Sequence, residues 1–173
     1  MIPQIKRMLC ATDLSDNSAY VLRYAMNSGK KHDAAIIILY VLEPLPTTAY
    51  ALTISYLGEA QEKKISQEKL AFVKDRIKKQ LQIVCEKELK NDPECADRVE
   101  SIEICEGFPA EMILSKADEL NCDVVVMGTH GKGFLRNTFL GSTSKRVLRR
   151  TRKPVFIIPL PKEEADIGLH DVE

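Results

Sequence analysis

The sequence has no excess of charge of either sign, since Lys plus Arg and Asp plus Glu each number 25 among 173 residues. This balance gives no bulk reason to expect a nucleic acid or a membrane surface as a partner. A long hydrophobic run is also missing. The longest, Ala34 to Leu42, is far too short to cross a bilayer, and no signal peptide is visible. We therefore expect a soluble protein that binds neither a membrane nor nucleic acid.

The cysteines form no pairing pattern. Their number is odd and no C-x-x-C pair occurs among them; they are Cys10, Cys85, Cys95, Cys105 and Cys122. Such scattered cysteines are typical of a reduced cytosolic chain, where they serve as small apolar core residues. His32-Asp33 and His170-Asp171 lack companions at ligand spacing. We therefore expect a cytoplasmic protein with no metal site formed by the protein alone.

What the chain does contain is an alternation of strands and helices. Isoleucine-rich or valine-rich apolar runs are typical of strands buried on both faces of a parallel sheet, and stripes of 3.6-residue period separate them. The predicted strands are Ile5 to Thr12, Ala34 to Leu42, Val99 to Cys105, Asp123 to Gly128, and Pro154 to Pro159. This order predicts an α/β fold, a doubly wound five-stranded parallel sheet with strand order 3-2-1-4-5 and helices on both faces.

Capping and helix-breaking residues set the predicted helix boundaries. Ser15 is the expected N-cap of the first helix, and Gly29 with the polar residues after it the expected end. The other helices are predicted from Glu59 to Lys90, from Pro109 onward, and from about Ser142 to Arg150. The segment from Leu45 to Gly58 has no assignment. Residues 1–160 are expected to form one domain, and residues 161–173 a polar tail.

The predicted binding site lies where the strand order reverses, at the carboxyl ends of strands 1 and 4. Strand 1 ends in Ala11, Thr12 and Asp13, and strand 4 opens a glycine-containing loop from Gly128 to Thr143. Glycine permits positive φ and close approach to a ligand, and its amides can form a nest for an anion. Because the next helix begins near Ser142, its unpaired amides and dipole favour phosphate as well.

The charge and the residue spacing of this loop narrow the class of ligand that it is expected to bind. From Val124 to Lys162 nine residues are basic and none is acidic, which suggests an anion site, although a solvated basic face gives the same pattern. A Walker A loop would need lysine at Phe134, and a dinucleotide fingerprint would need glycine at Arg136. The pattern that fits is G-x2-G-x9-G-[ST], formed by Gly128, Gly131, Gly141 and Ser142.

Together with other motifs, this pattern resembles the universal stress proteins, specifically their ATP-binding branch. The resemblance covers nearly the whole chain. It includes Asp13, Tyr40-Val41-Leu42, the G-x-P-A-E stretch from Gly107, D-x-V-x-M-G before the loop, and R-x-x-x-P-V-x-I-x-P from Arg150. The chain departs from the family where relatives often have Asp-Gly-Ser after strand 1, because it has Asp13-Leu14-Ser15.

The resemblance implies bound ATP, with Mg²⁺ brought by its phosphates, and a homodimer paired through the last strand, Pro154 to Pro159. It places Thr12 and Asp13 beside adenine and ribose, and the backbone of Val41 beside the base. The other expected binding residues hold the ribose and phosphates or flank them; they are Ala11, Gly128, Thr129, His130, Gly131, Lys132, Gly133, Arg136, Gly141, Ser142 and Thr143.

Several of these residues have a second interpretation. Asp13 either contacts the nucleotide and its metal or caps the entry to the first helix. Lys132 and Arg136 either reach the outer phosphates or are simply exposed to solvent. Four cations of the last helix are expected to complement its dipole, namely Lys145, Arg146, Arg149 and Arg150. A triad of Asp13, His130 and Ser142 is rejected, because no G-x-S-x-G elbow is present.

The expected function is that of a stress or regulatory protein in which ATP occupancy sets conformation or partner choice. The alternative is a slow ATPase or phosphotransferase, which is disfavoured because Asp13 is the one carboxylate expected near the site. Phosphoryl transfer usually needs a base or a water-positioning group. A structural dimer that binds no nucleotide is a third possibility, and the retained glycines disfavour it.

Overall fold

The central feature of the computed structural model is a parallel sheet; residues 3–15, 18–44, 55, 59–90, 97–131 and 140–159 are described. Its strands are β1 (Arg7–Thr12), β2 (Ala35–Leu42), β3 (Val99–Glu106), β4 (Val124–Gly128) and β5 (Val155–Ile158). Their order is β3-β2-β1-β4-β5, and every neighbouring pair is parallel. The predicted fold class and strand order are therefore confirmed.

Helices cover both faces of this sheet, as predicted. They are α1 (Ser18–His32), α2 (Glu59–Leu89), α3 (Pro109–Glu119) and α4 (Ser142–Arg150). One core layer joins the sheet to α1 and to Ile77 and Leu81 of α2, and the other joins it to α3 and to Val147 of α4. No helix among the described residues is long and apolar enough to span a membrane.

The apolar run of β2 explains how this strand contributes buried side chains to both core layers. Ile36 and Ile38 belong to the α1 side, whereas Ile37 and Leu39 belong to the α3 side, and all four are almost fully buried. Side chains of a strand alternate between the two faces of its sheet. A strand covered on both faces therefore needs an uninterrupted apolar run, which is what β2 has.

The helix α1 ends within the predicted polar run, at His32, although Gly29 itself does not end it. Ser15 as the N-cap stays a prediction, because residues 16 and 17 lie outside the described residues. The helix begins at Ser18, and the backbone carbonyl of Ser15 accepts from the Ser18 amide at 2.8 Å. Gly29 lies inside the helix, where a Cβ would stand 2.7 Å from Cδ1 of Ile36. The residue after the helix, Asp33, has a φ of 52°. Gly29 is thus explained by close packing against the sheet, and the left-handed residue that ends the helix is Asp33.

Two of the three cysteines whose side chains are described are core residues, as expected. Cys10 and Cys122 are buried and Cys105 is half-buried, whereas the side chains of Cys85 and Cys95 lie outside the described residues. Burial raises the pKa of the Cys122 thiol from 9.0 to about 11. A thiol is neutral when protonated, so burial favours the protonated form in the folded protein.

We expect this shift to weaken folding at high pH. Because the folded pKa exceeds the unfolded one, the contribution of Cys122 is complete below pH 9.0 and is lost as the pH rises through about 11. At about pH 10.5 the wild-type protein should lose about 2 kcal/mol of its advantage over Cys122→Ala. Urea unfolding of both proteins at about pH 8 and at about pH 10.5 measures this difference, and an unchanged difference would contradict the shift.

Candidate functional site

A cavity of about 450 Å³ lies at the carboxyl ends of the strands, between the ends of β1 and β4. It is therefore at the predicted reversal of strand order. Ten of the predicted binding residues line it: Ala11, Thr12, Asp13, Val41, Gly128, His130, Gly131, Gly141, Ser142 and Thr143. Thr129 is buried and does not line it. The positions predicted at Lys132, Gly133 and Arg136 lie outside the described residues.

The end of β1 forms a tight turn stabilised by its own side chains. Thr12 Oγ1 accepts from the Leu14 amide at 3.3 Å. Asp13 Oδ1 accepts from the Ser15 amide at 3.0 Å and from the Ser18 hydroxyl at 3.3 Å. One oxygen of Asp13 thus holds the entry to α1, which is the second of the two interpretations given by the sequence. The same side chain lines the cavity, so a structural contact does not remove it from the site.

Leu14 adopts a left-handed backbone conformation, with a φ of 56°. The resemblance described above implies glycine at this position, and a residue with a Cβ is strained there. Leu14 also packs on the α1 side of the core. The chain therefore combines backbone strain with an apolar contact at the mouth of the site.

We expect Leu14→Gly to be more stable than Leu14→Ala by about 1 kcal/mol. Both variants lose the same apolar contact, but only glycine removes the Cβ that strains the left-handed backbone. The comparison is read from urea unfolding of the two variants side by side. An alanine variant as stable as the glycine variant would show that this backbone is not strained in solution.

The end of β4 is fixed by a chain of backbone hydrogen bonds. The Thr129 amide donates to the carbonyl of Ile158 at 3.1 Å, and the Thr129 carbonyl accepts from the Gly141 amide at 2.7 Å. The Ser144 hydroxyl donates to the carbonyl of Gly128 at 2.9 Å. Both ends of the loop are thereby held against β4, with the first turn of α4 facing the cavity.

The glycines of the site are explained by close approach and not by positive φ. Gly107 is the one glycine of the described residues with a positive φ, so that expectation is wrong for Gly128, Gly131 and Gly141. A Cβ on Gly131 would overlap the Asp13 carboxylate. A Cβ on Gly128 would stand 3.2 Å from the His130 carbonyl oxygen, and one on Gly141 would stand 3.3 Å from that of Thr129. Gly128 and Gly141 thus let two backbone segments meet, and Gly131 makes room for the side chain of Asp13.

The amino end of α4 has features that favour an anion. Its N-cap is Gly141, whose lack of a side chain leaves the first turn without a side-chain cap. That turn contains no acidic residue, and Ser142 and Thr143 line the cavity beside it. Unpaired amides and the helix dipole both favour negative charge at such a position.

Sequence reasoning missed part of the lining. The lining includes an apolar wall formed by Leu39, Leu42, Pro109, Ile113 and Met127. Glu43 also lines the cavity, so the expectation that Asp13 is the one carboxylate near the site is wrong. Glu43 directly follows β2, and the ends of parallel strands share one edge of the sheet. The position of Glu43 directly after a predicted strand was therefore the sequence signal that could have placed it at the site.

His130 lies half-buried at the start of the loop and lines the cavity. Its Nδ1 is 3.1 Å from the Thr129 hydroxyl. The hydroxyl of Ser18 donates to Asp13, and that of Ser144 to Gly128. The polar side of the cavity is therefore arranged by local contacts, with the hydroxyls of Ser142 and Thr143 at its α4 end.

Comparison with known proteins gives consistent matches over most of the chain. A family model described as the universal stress protein family matches residues 4–159. Universal stress protein MJ0531 of Methanocaldococcus jannaschii is 28% identical over 159 residues, which cover 92% of this chain and 85% of that protein. The matches therefore include both strands and both loop ends that form the cavity.

Solved structures show the same fold. The structure of protein MJ0577 of Methanocaldococcus jannaschii has a TM-score of 0.67 at 21% identity, covering 92% of this chain and 99% of that one. A universal stress protein crystallised in complex with cAMP has a TM-score of 0.52 at 20% identity, covering 90% of this chain and 98% of that one. Both share the architecture of the present chain.

Proposed function

The chain belongs to the universal stress protein family, and from that premise we propose that it binds ATP together with Mg²⁺ in the cavity between β1 and β4. The observation that carries the proposal is that an uncapped helix end and an apolar wall line one cavity of about 450 Å³. Ligand pockets usually have volumes of roughly 300–1,000 Å³. The cAMP bound by one structural relative supports an adenine nucleotide.

The two sides of the cavity suit the two halves of a nucleotide. The amides at the start of α4 and the hydroxyls of Ser142 and Thr143 would hold the phosphates. The base would lie against the apolar wall near Val41, with the ribose beside Thr12 and Asp13. Mg²⁺ would be held mainly by phosphate oxygens, with the carboxylate of Asp13 or of Glu43 as a protein ligand.

Calorimetry with a panel of nucleotides tests this proposal. We expect ATP to bind in the presence of Mg²⁺ more tightly than GTP, because the apolar wall and the backbone at Val41 recognise the base. Mass spectrometry of nucleotide released from the purified protein identifies a ligand carried through purification. Equal affinity for ATP and GTP, or no affinity for either, would contradict the assignment.

We further propose that nucleotide occupancy sets conformation or partner choice in a cytoplasmic stress response. Slow ATP hydrolysis is the second candidate. The sequence disfavoured it because only one carboxylate was expected near the site, and the presence of Glu43 in the cavity weakens that objection. Two carboxylates near one site can position water as well as metal. The domain is proposed to comprise residues 1–160, with residues 161–173 as a tail outside it.

We expect ATP turnover by the purified protein to stay far below about 1 s⁻¹, the low end of ordinary enzyme turnover. One oxygen of Asp13 is already committed to the turn before α1, and Glu43 is exposed to solvent. Release of inorganic phosphate measures the rate. Faster turnover that Asp13→Asn and Glu43→Gln each abolish would establish the ATPase instead.

We also propose a homodimer paired through the outer edge of β5. This strand pairs with β4 on one side only and is an edge of the sheet. Its side chains pack on both core layers of their own chain, Phe156 and Ile158 on one and Val155 and Ile157 on the other. The backbone edge is what a second copy would use, and such a pairing about a two-fold axis closes the assembly.

A further inference from the structure

A second cavity, of about 490 Å³, runs along the outer face of α4. It is lined by Glu111, Ser142, Lys145, Arg146, Arg149 and Arg150. The helix residues recur at intervals of three and four, so they form one face of α4. Four cations thus project along nine residues of helix, with Glu111 of α3 as the single acidic residue in the lining.

The helix dipole explains only half of these cations. Arg149 and Arg150 lie in the last turn, where positive charge is favourable. Lys145 and Arg146 lie in the middle of the helix, outside the last turn in which the dipole favours a cation, so the sequence-based explanation does not cover these two. Arg150 pairs with Glu111 at 3.2 Å. No carboxylate of the described residues lies within 4 Å of the charged nitrogens of Lys145, Arg146 or Arg149.

The chain contains a segment of opposite charge. Residues 161–173 include five carboxylates, on Glu163, Glu164, Asp166, Asp171 and Glu173, and a single lysine, Lys162. Three of the five carboxylates fall within four consecutive positions. This run can therefore present a concentrated negative charge to the cations of α4.

The fold also brings the end of β5, which precedes this segment in the sequence, close to α4. β5 ends at Ile158, whose carbonyl accepts from Thr129, and the carbonyl of Thr129 accepts from Gly141, the N-cap of α4. From this point α4 extends about 14 Å. Thirteen residues can span up to about 43 Å when extended. Length is therefore sufficient for residues 161–173 to follow the whole basic face.

We propose that the acidic segment of residues 161–173 docks on the basic face of α4 in its own chain. The carboxylates pair with Lys145, Arg146 and Arg149, which otherwise repel one another across adjacent turns. Individual exposed ion pairs are weak, but several on one face act together. The docked segment shields this face from other polyanions, and its release by salt or by a competing acidic ligand exposes these three cations.

Zero-length carbodiimide cross-linking of the full-length protein tests this docking, because it joins a carboxylate to an amine in direct contact. Lys145 is the one lysine of the face, so we expect peptides linking Lys145 to Glu163, Glu164 or Asp166. These links should disappear at about 1 M salt, where the Debye length is about 3 Å. They should also fall several-fold in Arg146→Gln/Arg149→Gln, whereas the control Lys78→Gln/Lys87→Gln on the exposed face of α2 should leave them unchanged.

Mixing isotopically labelled and unlabelled protein separates links within one chain from links between two. Only links within one chain support the proposal. Mixed-isotope links would overturn it in favour of a second copy. Lys145 linked to Glu111 alone, or tail links that persist equally in Arg146→Gln/Arg149→Gln and at high salt, would also overturn it. All substituted side chains are exposed, so the fold is retained in each variant.

Discussion

Replacing Gly131 with valine is expected to weaken ATP binding about a hundredfold. A Cβ at this position would overlap the carboxylate of Asp13, so the loop or the carboxylate must move. A β-branched residue adds further bulk where the two segments meet, and overpacking of this kind usually costs about 1–3 kcal/mol. Calorimetry of ATP binding measures the effect, with urea unfolding to establish that Gly131→Val remains folded.

A double-mutant cycle separates the two causes of that loss. In Gly131→Ala/Asp13→Ala the overlapping carboxylate is gone, so alanine fits beside β1. If displacement of the Asp13 carboxylate causes the whole loss of affinity, the double variant has the same affinity for ATP as Asp13→Ala. A further loss in the double variant shows that the backbone of residue 131 itself contacts the nucleotide. Unchanged affinity in a folded Gly131→Val protein would remove this loop from the binding site.

The second large effect is expected at β5, where Ile157→Pro should convert the proposed homodimer into a monomer. The carbonyl of Pro154 accepts from Val125 of β4 at 3.0 Å, and that of Ile158 accepts from Thr129, the residue after β4, at 3.1 Å. Since alternate residues of a strand bond to opposite sides, the amide of Ile157 points to the open edge. Proline removes that donor and leaves the pairing with β4 intact. Light scattering at micromolar concentration measures the mass.

Ile157→Ala is the matched control, because it loses the same apolar contact on the α3 side but keeps the amide. We expect it to remain a dimer. Dissociation of both variants would assign the interface to the side chain and not to the backbone edge. A wild-type protein that is a monomer at this concentration, or a proline variant that stays a dimer, would refute pairing through β5.

The sheet could be predicted from the sequence because its signals are local. The run from Ala35 to Leu42 has no polar interruption, and the alternation of Val99–Glu106 is typical of an edge strand, which is where β3 lies. Parallel order and right-handed crossovers then leave few topologies. The position of the cavity follows from that order and not from any single residue.

What could not be predicted depends on contacts between segments distant in sequence. Gly131 is required because it meets Asp13, and Gly29 because it meets Ile36. No local sequence pattern distinguishes a glycine required for close packing from a glycine required for a positive φ. Glu43 was overlooked because it belongs to neither of the strands at the reversal. The roles of Lys132, Gly133 and Arg136 stay predictions, since these residues lie outside the described part of the loop.

The two hydrogen bonds of Thr129 have a thermodynamic consequence. One residue joins the edge strand, through Ile158, to the N-cap of α4, through Gly141. A ligand bound at the α4 end and a second copy paired at the β5 edge would therefore both act on this one buried residue. Coupling of this kind is reciprocal. Any factor by which bound nucleotide changes the affinity between two copies must equal the factor by which association changes the affinity for the nucleotide.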